Sequence, residues 1–327
     1  MICIKNPDTN PYFNLAAEEY VLKNFSDNAF MLWRNRPSII VGTHQNAIAE
    51  INVEYVKENN IDVVRRLSGG GAVFHDLGNL NFTFIKNIKR GKDKVDFSTY
   101  TKPIIDVLRN MGLNAGFQGR NDIVVDEKKV SGNAQHLNGN RMIHHGTLLF
   151  SSEMTDLSSA LKVNPLKFKD KAVKSVRSRV TNISDHLKDK MDVLEFRDRI
   201  MEHIVSENEG AEIYEYTDED RAAINRLVDE KYGKWDWNFG VSPEYNFEKL
   251  VKTDGGNIEF HINVEKGIMK DVRIFGDYFN SLPTKDVEEL LRDTPHEHQK
   301  IREKLDNIYF GQYFHKVDRE TFINGMF

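Results

Sequence analysis

The stretch from Arg65 to Ile85 reads RRLSGGGAVFHDLGNLNFTFI, and the fold of the surrounding chain follows from it. The apolar residues 61–64 before it predict a strand, and the alternating apolar pattern from Asn79 predicts a second strand. The glycines between them predict a loop without side chains. Three consecutive glycines carry a high entropy cost, so a compact protein keeps them where backbone must approach another group or adopt positive φ. Backbone N–H groups with Arg65 and Arg66 beside them predict a site for an anion such as phosphate or carboxylate. The alternative is a glycine-rich hairpin whose arginines are merely solvated.

Two common nucleotide-binding motifs do not fit this loop. A dinucleotide fingerprint requires G-x-G-x-x-G, but Phe74 occupies the position of the last glycine. The G-x-x-x-x-G-K-[ST] pattern occurs nowhere in the chain. The sequence therefore predicts an anion site that is neither a Rossmann turn nor a P-loop.

Length and composition indicate a globular protein of two domains. The chain has 327 residues, of which 39% are hydrophobic and 29% charged. This length exceeds one average domain. Pro243 marks a linker and the pattern changes from Phe247, so we expect a large domain over residues 1–242 and a small one over 246–327. The net charge of -5 argues against a general nucleic-acid-binding protein.

Neither a membrane span nor an oxidising compartment is expected. No stretch approaches about 18 apolar residues, and the first residues lack the pattern of a signal peptide. Cys3 is the single cysteine, so no intramolecular disulfide can form. We therefore expect a cytoplasmic protein without membrane contact, and we expect it to act as a monomer.

Helix and strand signals alternate along the chain and predict an α+β fold. Asn14 can cap a helix that runs to about Lys23. Residues 96–111 predict another helix, and three short runs between residues 122 and 150 predict an antiparallel meander. In the small domain, clean alternation over residues 258–264 predicts a three-stranded sheet with helices on one face.

Two polar motifs follow the glycine loop: GRND, which ends at Asp122, and KVSGNAQ, which starts at Lys129. On an extended strand Lys129 and Ser131 share a face, and Gly132 leaves space beside them. A lysine aimed at an anion pocket can neutralise charge that develops on a phosphate in the transition state. Asp122 can hold a magnesium ion, for which one carboxylate plus substrate phosphates is a common arrangement. The alternative for Lys129 is a solvent-facing strand lysine.

Zinc chemistry and thiol chemistry are both disfavoured. A zinc site requires three or four converging ligands, and no cysteine lies near His75, His144 or His145. We interpret His144 and His145 as structural or supporting residues. A cysteine nucleophile is equally unfavourable, because Cys3 lies at the start of the chain, far from every motif.

Six motifs, in this order, closely resemble those of the bacterial lipoate-protein ligase family: RRLSGGGAVFHDLGN, GRNDIVV, KVSGNAQ, HHGTLLF, NPLKFKDKAVKSVRSRVTNIS and WDWNFG. The later segment EFHINVEKG resembles the accessory domain of that family. The resemblance covers nearly the whole chain. It implies the mixed-sheet α+β fold that these ligases share with biotin-protein ligases, followed by a small C-terminal α+β accessory domain.

The resemblance also implies an activity. These ligases use ATP and Mg²⁺ to activate lipoic acid to lipoyl-AMP, releasing pyrophosphate, and then transfer the lipoyl group to a lysine of a carrier protein. The implied carriers are the apo lipoyl domains of 2-oxoacid dehydrogenase E2 subunits and the glycine cleavage H protein. The implied role is the salvage of free lipoic acid.

Matching the motifs position by position implies a role for several residues. The ATP-binding positions are Arg66, Gly71, Ala72, Val73, Phe74 and Lys129. The lipoate-binding positions are Lys129, Arg66, Gly70, Gly71 and His75, with the apolar tail expected against Val73, Leu80 or Phe82. The catalytic candidates are Lys129 and Asp122, of which Asp122 is also the candidate magnesium ligand. The adenylate-binding loop, within the basic segment 162–179, corresponds to Lys174, Ser175, Val176, Arg177, Ser178 and Arg179.

Two alternatives to this activity remain. Octanoyltransferases and lipoyl amidotransferases share the fold, but they depend on a cysteine that the motifs here lack. A non-catalytic module that binds lipoyl domains would have no need to retain Arg66, Lys129 and the basic loop together.

Overall fold

The structure is a computed structural model of the chain. It describes residues 1–45, 47–51, 53–88, 96–153, 160–161, 180–238, 247–265, 268–295 and 298–326. Helices and three β-sheets alternate over these ranges, so the α+β prediction is confirmed. None of the described helices combines the length and the apolar character needed to cross a membrane.

The strands of the described chain form three sheets. In chain order they are β1 (Ile2–Lys5), β2 (Ala29–Trp33), β3 (Ser38–Val41), β4 (Asp62–Arg65), β5 (Val73–His75), β6 (Asn79–Asn87), β7 (Ala115–Gln118), β8 (Asp122–Val125), β9 (Lys128–Asn138), β10 (Arg141–Leu149), β11 (Glu212–Tyr214), β12 (Phe247–Thr253), β13 (Gly256–Glu265) and β14 (Ile268–Gly276). The large sheet has the order β11-β1-β2-β6-β10-β9-β8-β7, and the two small sheets have the orders β4-β3-β5 and β12-β13-β14. The predicted meander is present as β8, β9 and β10.

Helices cover the sheets and link them. In chain order they are α1 (Pro11–Asn24), α2 (Ala47–Glu50), α3 (Val53–Glu58), α4 (Phe97–Asn110), α5 (Val193–Ser206), α6 (Asp218–Leu227), α7 (Trp235–Asn238), α8 (Thr284–Leu291), α9 (His298–Leu305), α10 (Phe310–Tyr313) and α11 (Arg319–Gly325). A 3₁₀ turn covers Ile183–His186, and a π-helical turn at Val228–Tyr232 continues α6.

Helix α1 begins one turn earlier than the sequence predicted. Its N-cap is Asn10, whose side-chain oxygen accepts a backbone N–H of the first turn, and Pro11 occupies the first helical position, where its missing N–H costs nothing. Asn14 lies inside the helix instead. Its amide nitrogen donates to the carbonyl oxygens of Asp8 and Arg34 at 3.0 and 2.8 Å, so it fastens α1 to the neighbouring chain.

The large sheet separates two apolar cores, because successive residues of a strand face opposite sides. In β6, Leu80 and Phe82 are fully buried in the core shared with α4 and α5. Asn81 and Thr83 face the other side, where α1 packs. There Thr83 Oγ1 donates to the carboxylate of Glu18 at 2.6 Å. In β6, the polar side chains therefore lie on the α1 side of the sheet.

The glycine-rich loop crosses the end of β3. This strand pairs in parallel with β4 and antiparallel with β5, so residues 66–72 connect the two outer strands of their sheet. The predicted strands before and after the loop are present as β4 and β6, but β5, which was not predicted, lies between the loop and β6. A Cβ atom at Gly42, directly after β3, would lie closer than 3.0 Å to the carbonyl oxygen of Gly70. The crossing is therefore tight enough to require a glycine at position 42.

The C-terminal sheet packs against this loop. Tyr278, two residues after β14, stacks on His44 with ring centroids 4.8 Å apart. Gly276 donates its backbone N–H to the carbonyl oxygen of His44. The guanidinium of Arg120 lies 4.3 Å from the ring centroid of Phe279. A Cβ atom at Gly69 would lie closer than 3.0 Å to the Tyr278 carbonyl oxygen, so the C-terminal part of the chain also lies against the loop itself.

Candidate functional site

A cavity of 570 Å³ lies between the glycine loop, the β8–β10 meander and the C-terminal sheet. This volume is typical of a pocket for a small molecule or cofactor. Most of the residues predicted from sequence line it together, namely Arg66, Gly70, Gly71, Ala72, Val73, His75, Asp122 and Lys129.

Arg66 acts as a clamp on the glycine loop. Its Nε donates to Ser68 Oγ at 3.0 Å, Nη1 donates to the Ile40 carbonyl at 3.0 Å, and Nη2 donates to the Gly69 and Gly71 carbonyls at 2.7 and 2.8 Å. Four of the five N–H donors of the guanidinium are thus used inside the protein. Burial lowers the pKa of Arg66 to about 10, so the group stays charged at neutral pH and acts on any anion in the cavity.

Two glycines of the loop, Gly70 and Gly71, line the cavity. Gly70 has a φ of +91°, in the left-handed region that favours glycine. No described residue accepts a hydrogen bond from the N–H groups of Gly70 or Gly71. Two such donors beside a buried guanidinium form the kind of backbone nest that binds anions.

The structure corrects the prediction for Arg65. Its guanidinium donates to the carbonyl oxygens of Gly42, Gln45 and Asn238 at 2.8, 2.7 and 3.0 Å. Adjacent residues of an extended chain point to opposite faces, so only Arg66 reaches the cavity. Arg65 instead fastens β4 to α7.

Lys129 reaches the cavity from β9 and pairs with Asp122. The distance from Nζ to Oδ1 of Asp122 is 2.7 Å, and the two side chains are 30% and 14% exposed. The pairing of β8 with β9 places Asp122 opposite Gly132. A Cβ atom at Gly132 would lie 3.3 Å from Nζ, so the missing side chain leaves the room that the ammonium group occupies, as the sequence predicted.

Further polar groups surround this end of the cavity. The backbone N–H and the side-chain amide of Asn133 both donate to the Asn121 carbonyl, at 3.0 and 2.9 Å. Arg120 donates to the Gly255 carbonyl, and Asp277 lines the cavity from the C-terminal side. Charged and polar groups are thus concentrated near Lys129.

His75 carries a hydrogen-bond donor at the cavity wall. Its Nδ1 lies 3.1 Å from Nδ2 of Asn35 and 3.5 Å from Nδ2 of Asn81, so Nδ1 accepts and the proton of the neutral ring is on Nε2. Burial lowers the pKa of His75 to about 3, which keeps the ring neutral at physiological pH. Nε2 has no partner among the described residues, and the side chain is 3% exposed.

A buried polar chain that the sequence analysis missed supports the loop. His145 Nε2 lies 2.6 Å from Ser68 Oγ, and Nδ1 lies 2.9 Å from the carboxylate of Glu18. Because Ser68 Oγ also accepts from Arg66 Nε, this chain connects α1 with the clamp. His145 also lines the cavity. The available signal was a pair of acidic residues, Glu18 and Glu19, inside the apolar helical segment FNLAAEEYVL.

Three predicted lining residues lie elsewhere. Phe74 packs in the apolar core of β3 and β4 with Ile39 and is 3% exposed. Leu80 and Phe82, expected beside the lipoate tail, face the opposite side of β6 from the cavity. Asn81 lines the cavity in their place.

The predicted adenylate-binding loop, Lys174 to Arg179, lies outside the described residues, as does the rest of segment 162–179. The described chain on both sides of this segment is anchored. Leu161 forms a β-bridge with Ile51, and Val180 forms one with Lys129. The chain therefore resumes directly beside Lys129.

Two family models match the chain. The Lipoyl protein ligase A/B catalytic domain matches residues 10–205, more than half of the chain, and the Bacterial lipoate protein ligase C-terminus matches residues 242–326. The chain belongs to the lipoate-protein ligase family. The resemblance seen in the motifs is thereby confirmed.

Curated relatives of this ligase match it over almost its whole length. It is 45% identical over 323 residues to lipoate--protein ligase 1 of Staphylococcus aureus, and the alignment covers 98% of each chain. It is 43% identical over 329 residues to lipoate-protein ligase LplJ of Bacillus subtilis, and the alignment covers 99% of each chain.

Solved structures share the fold. The crystal structure of P. falciparum LipL1 in complex with lipoate aligns with a TM-score of 0.80 and 25% identity, covering 99% of this chain and 97% of that one. The crystal structure of lipoate-protein ligase A bound with ATP aligns with a TM-score of 0.61 and 28% identity. The alignment covers 74% of this chain and 98% of that one. The bi-partite lipoate protein ligase of Thermoplasma acidophilum, analysed with its E2 lipoyl domain, aligns with a TM-score of 0.63 and 30% identity. The alignment covers 75% of this chain and 98% of that one.

The geometry gives no support to a cysteine-dependent transferase. Cys3 lies in β1 with 0% exposure, packed in the core of the large sheet. Burial also raises the pKa of its thiol, which disfavours the reactive thiolate.

Proposed function

We propose that this ligase activates free lipoic acid with ATP to form lipoyl-AMP and pyrophosphate, and then transfers the lipoyl group to a lysine of a carrier protein. One observation carries the proposal: the ammonium group of Lys129 shares a cavity with Gly70 and Gly71, whose N–H groups have no partner among the described residues. Solved relatives with lipoate and with ATP bound support the two substrates.

In the first step a carboxylate oxygen of lipoate attacks the α-phosphorus of ATP, and pyrophosphate leaves as the new P–O bond forms. Both reactants are anions, so fixed positive charge must offset their repulsion. Arg66 and Lys129 provide this charge, and the loop N–H groups hold phosphate oxygens. Residues 71–73 form the ATP-binding run, without Phe74, which packs in the core of β3 and β4. Lipoate is held by Lys129, Arg66, Gly70, Gly71 and His75.

A magnesium ion fits the chemistry of this site. Asp122 and Asp277 both line the cavity, and one carboxylate together with phosphate oxygens is the usual way to hold this ion. Asp122 would hold it. A bound ion would supply further charge neutralisation on the phosphates.

In the second step the amine of the carrier lysine attacks the acyl carbon, AMP leaves, and an amide forms. The amine, with an unperturbed pKa of about 10.4, must first lose a proton. The mixed anhydride is reactive, so Asp122 needs only to orient the amine. We assign the binding of the adenylate, and the exclusion of water from it, to residues Lys174 to Arg179. The return of the chain at Val180, beside Lys129, supports that assignment.

We infer that the carriers are apo lipoyl domains of 2-oxoacid dehydrogenase E2 subunits and the glycine cleavage H protein. The archaeal ligase analysed with its E2 lipoyl domain supports the first of these. Residues 1–242 form the catalytic domain and residues 246–327 the accessory domain. The ligase acts as a monomer in the cytoplasm, where ATP is available.

The role of Lys129 is tested by lipoate-dependent pyrophosphate exchange. Lys129→Ala is expected to lower the exchange rate by about 100-fold or more, because fixed charge at the reacting phosphate is lost. Lys128→Ala is the matched control, since Lys128 is exposed and the neighbouring residue of a strand faces the other side. Normal exchange by a folded Lys129→Ala protein would remove this residue from the mechanism.

The whole reaction is tested by intact mass. An apo lipoyl domain and an apo H protein are incubated with the ligase, lipoic acid and Mg-ATP, and each is expected to gain one lipoyl group. Omission of ATP must abolish the gain. A gain without ATP from an acylated donor protein would identify a transferase, and binding without any gain would identify a non-catalytic module.

A further inference from the structure

The C-terminal sheet contributes a positive charge to the cavity. Five described residues of this part of the chain line it, namely Lys252, Thr253, Gly256, Asn257 and Asp277. Lys252 is the basic one among them, whereas Arg66 and Lys129 reach the cavity from the end of β4 and from β9. A cation on a separate sheet can contact a different part of the ligand.

The ammonium group of Lys252 is not committed to a neighbour. It belongs to an exposed side chain near the end of β12, and no described residue forms an ion pair or a hydrogen bond with it. Lys249, three residues earlier, instead places its ammonium nitrogen 3.5 Å from the carbonyl oxygen of Asn324. The charge of Lys252 is therefore available to an anion that enters the cavity.

The cations near the reacting atoms are already engaged. Lys129 lies 2.7 Å from a carboxylate oxygen of Asp122, and Arg66 uses four of its N–H donors inside the protein. ATP brings three phosphates, and its β- and γ-phosphates leave together as pyrophosphate when the new bond forms at the α-phosphorus. Because negative charge builds up on that leaving group, further positive charge is needed where it lies.

Arg120 links the C-terminal sheet to the rest of the cavity. Its guanidinium donates to the Gly255 carbonyl and lies 4.3 Å from the ring centroid of Phe279. Gly255 belongs to the turn after β12, three residues beyond Lys252. Arg120 thus brings the end of β12 next to the start of β8.

Positive groups consequently form a row across the cavity. Burial lowers the pKa of Arg120, and the carboxylates of Asp277 and Asp122 offset part of that lowering, so both lie close to its guanidinium. Asp122 also holds Lys129. The row therefore runs from Lys129 past Arg120 to Lys252, and a triphosphate whose α-phosphate lies at Lys129 can extend its outer phosphates toward Lys252.

We propose that Lys252 binds the β- and γ-phosphates of ATP and stabilises the pyrophosphate as it leaves. This inference rests on the proposed function and adds to it a phosphate-binding residue on the C-terminal sheet. In the first step the bond between the α-phosphorus and the bridging oxygen breaks, and the electron pair stays on that oxygen. The ammonium group of Lys252 offsets the resulting charge on pyrophosphate and forms no covalent bond.

The test is Lys252→Ala in lipoate-dependent pyrophosphate exchange. The value of kcat/KM for ATP is expected to fall about 10-fold, the lower end of the effect of a hydrogen bond to a charged group. The KM for lipoate is expected to stay unchanged. In the reverse reaction, which forms ATP from lipoyl-AMP and pyrophosphate, the KM for pyrophosphate is expected to rise by a similar factor.

The second step supplies an internal control, because pyrophosphate has left before it begins. Transfer from chemically prepared lipoyl-AMP to an apo lipoyl domain is expected to proceed at the wild-type rate in Lys252→Ala. Lys249→Ala is the matched surface control, since Lys249 is an exposed lysine of the same strand that does not line the cavity. Lys252→Arg retains the charge and is expected to keep most of the kcat/KM for ATP.

The outcomes separate this inference from the proposed function. An unchanged kcat/KM for ATP in folded Lys252→Ala overturns the role of Lys252. Equal losses in both steps, or a loss confined to the transfer step, also overturn it, because they indicate domain packing or contact with the carrier. A wild-type protein that forms no lipoyl-AMP from lipoic acid and Mg-ATP overturns the proposed function itself.

Discussion

Replacing Gly42 by alanine tests whether the position of the glycine loop controls the chemistry. Gly42 follows β3, and its backbone faces the loop where the loop crosses that strand. A Cβ atom at this position would lie closer than 3.0 Å to the Gly70 carbonyl oxygen and 3.3 Å from Nη2 of Arg66. Neither neighbour is the free end of a flexible side chain, because Arg66 is held by the Gly69 and Gly71 carbonyls.

The size of the effect follows from the displacement. Carbon and oxygen atoms in ordinary contact lie about 3.5 Å apart, so the Gly70 peptide must move by about 1 Å. The N–H groups of Gly70 and Gly71 move with it. A misplacement of about 1 Å can lower a rate by about 100-fold. Overpacking of this kind costs about 1–3 kcal/mol of unfolding free energy, which a domain of this size tolerates.

The assay is lipoate-dependent pyrophosphate exchange, together with a thermal melt of each protein. Gly116→Ala is the matched control, because a Cβ atom at Gly116 would meet no atom within 4 Å. We expect Gly42→Ala to fold and to lose exchange activity, and Gly116→Ala to retain it. Exchange at the wild-type rate in folded Gly42→Ala would show that the loop position is not critical and would refute the steric argument.

Three further predictions concern stability and domain packing. Glu18→Leu leaves the buried ring of His145 without its acceptor and is expected to lower the unfolding free energy by about 2–3 kcal/mol, read from urea midpoints; an unchanged midpoint would contradict this. Burial lowers the pKa of His75 to about 3, so below about pH 6.5 the unfolded chain takes up a proton that the native state does not. Stability is then expected to fall by up to about 1.4 kcal/mol per pH unit as the pH drops toward 3, and less steeply in His75→Gln; equal slopes in the two proteins would exclude His75 as a cause. Arg120→Ala removes the contact with Phe279 and is expected to speed tryptic cleavage between the two proposed domains, whereas an unaltered digestion pattern would show that other contacts suffice.

Local patterns predicted much of the site. Consecutive glycines between two strands indicated a bare loop, and the spacing of Lys129 from Gly132 indicated an ammonium group over an empty position. Both features depend on residues close in sequence. Both can therefore be predicted from the local sequence, without knowledge of how the strands pair.

Features that depend on register were not predictable in the same way. Arg65 and Arg66 are neighbours with the same charge, yet they face opposite sides of β4. Which of them serves the cavity depends on how β4 pairs with β3. The same holds for Asn81, which lines the cavity while the adjacent Leu80 is in the core. A shift of one residue in the register of β6 would exchange the two faces.

The hydrogen-bonded series of Glu18, His145 and Ser68 was still harder to predict from the sequence. Its members come from α1, β10 and the glycine loop, more than 40 residues apart in each case. Only the folded sheet brings them together, and a pair of acidic residues in an apolar helix was the one local sign of it.

A serine hydroxyl beside a histidine that is backed by a carboxylate is the arrangement with which hydrolases cleave esters. In this ligase, that arrangement lies beside a cavity proposed to hold a reactive mixed anhydride. Ser68 is 1% exposed, and one of the two lone pairs of its oxygen accepts the Nε–H of Arg66, so the hydroxyl is buried under the loop. With lipoyl-AMP in that cavity, as proposed, the burial of Ser68 keeps this nucleophile away from the acyl group, so the enzyme does not capture the activated intermediate before the carrier arrives.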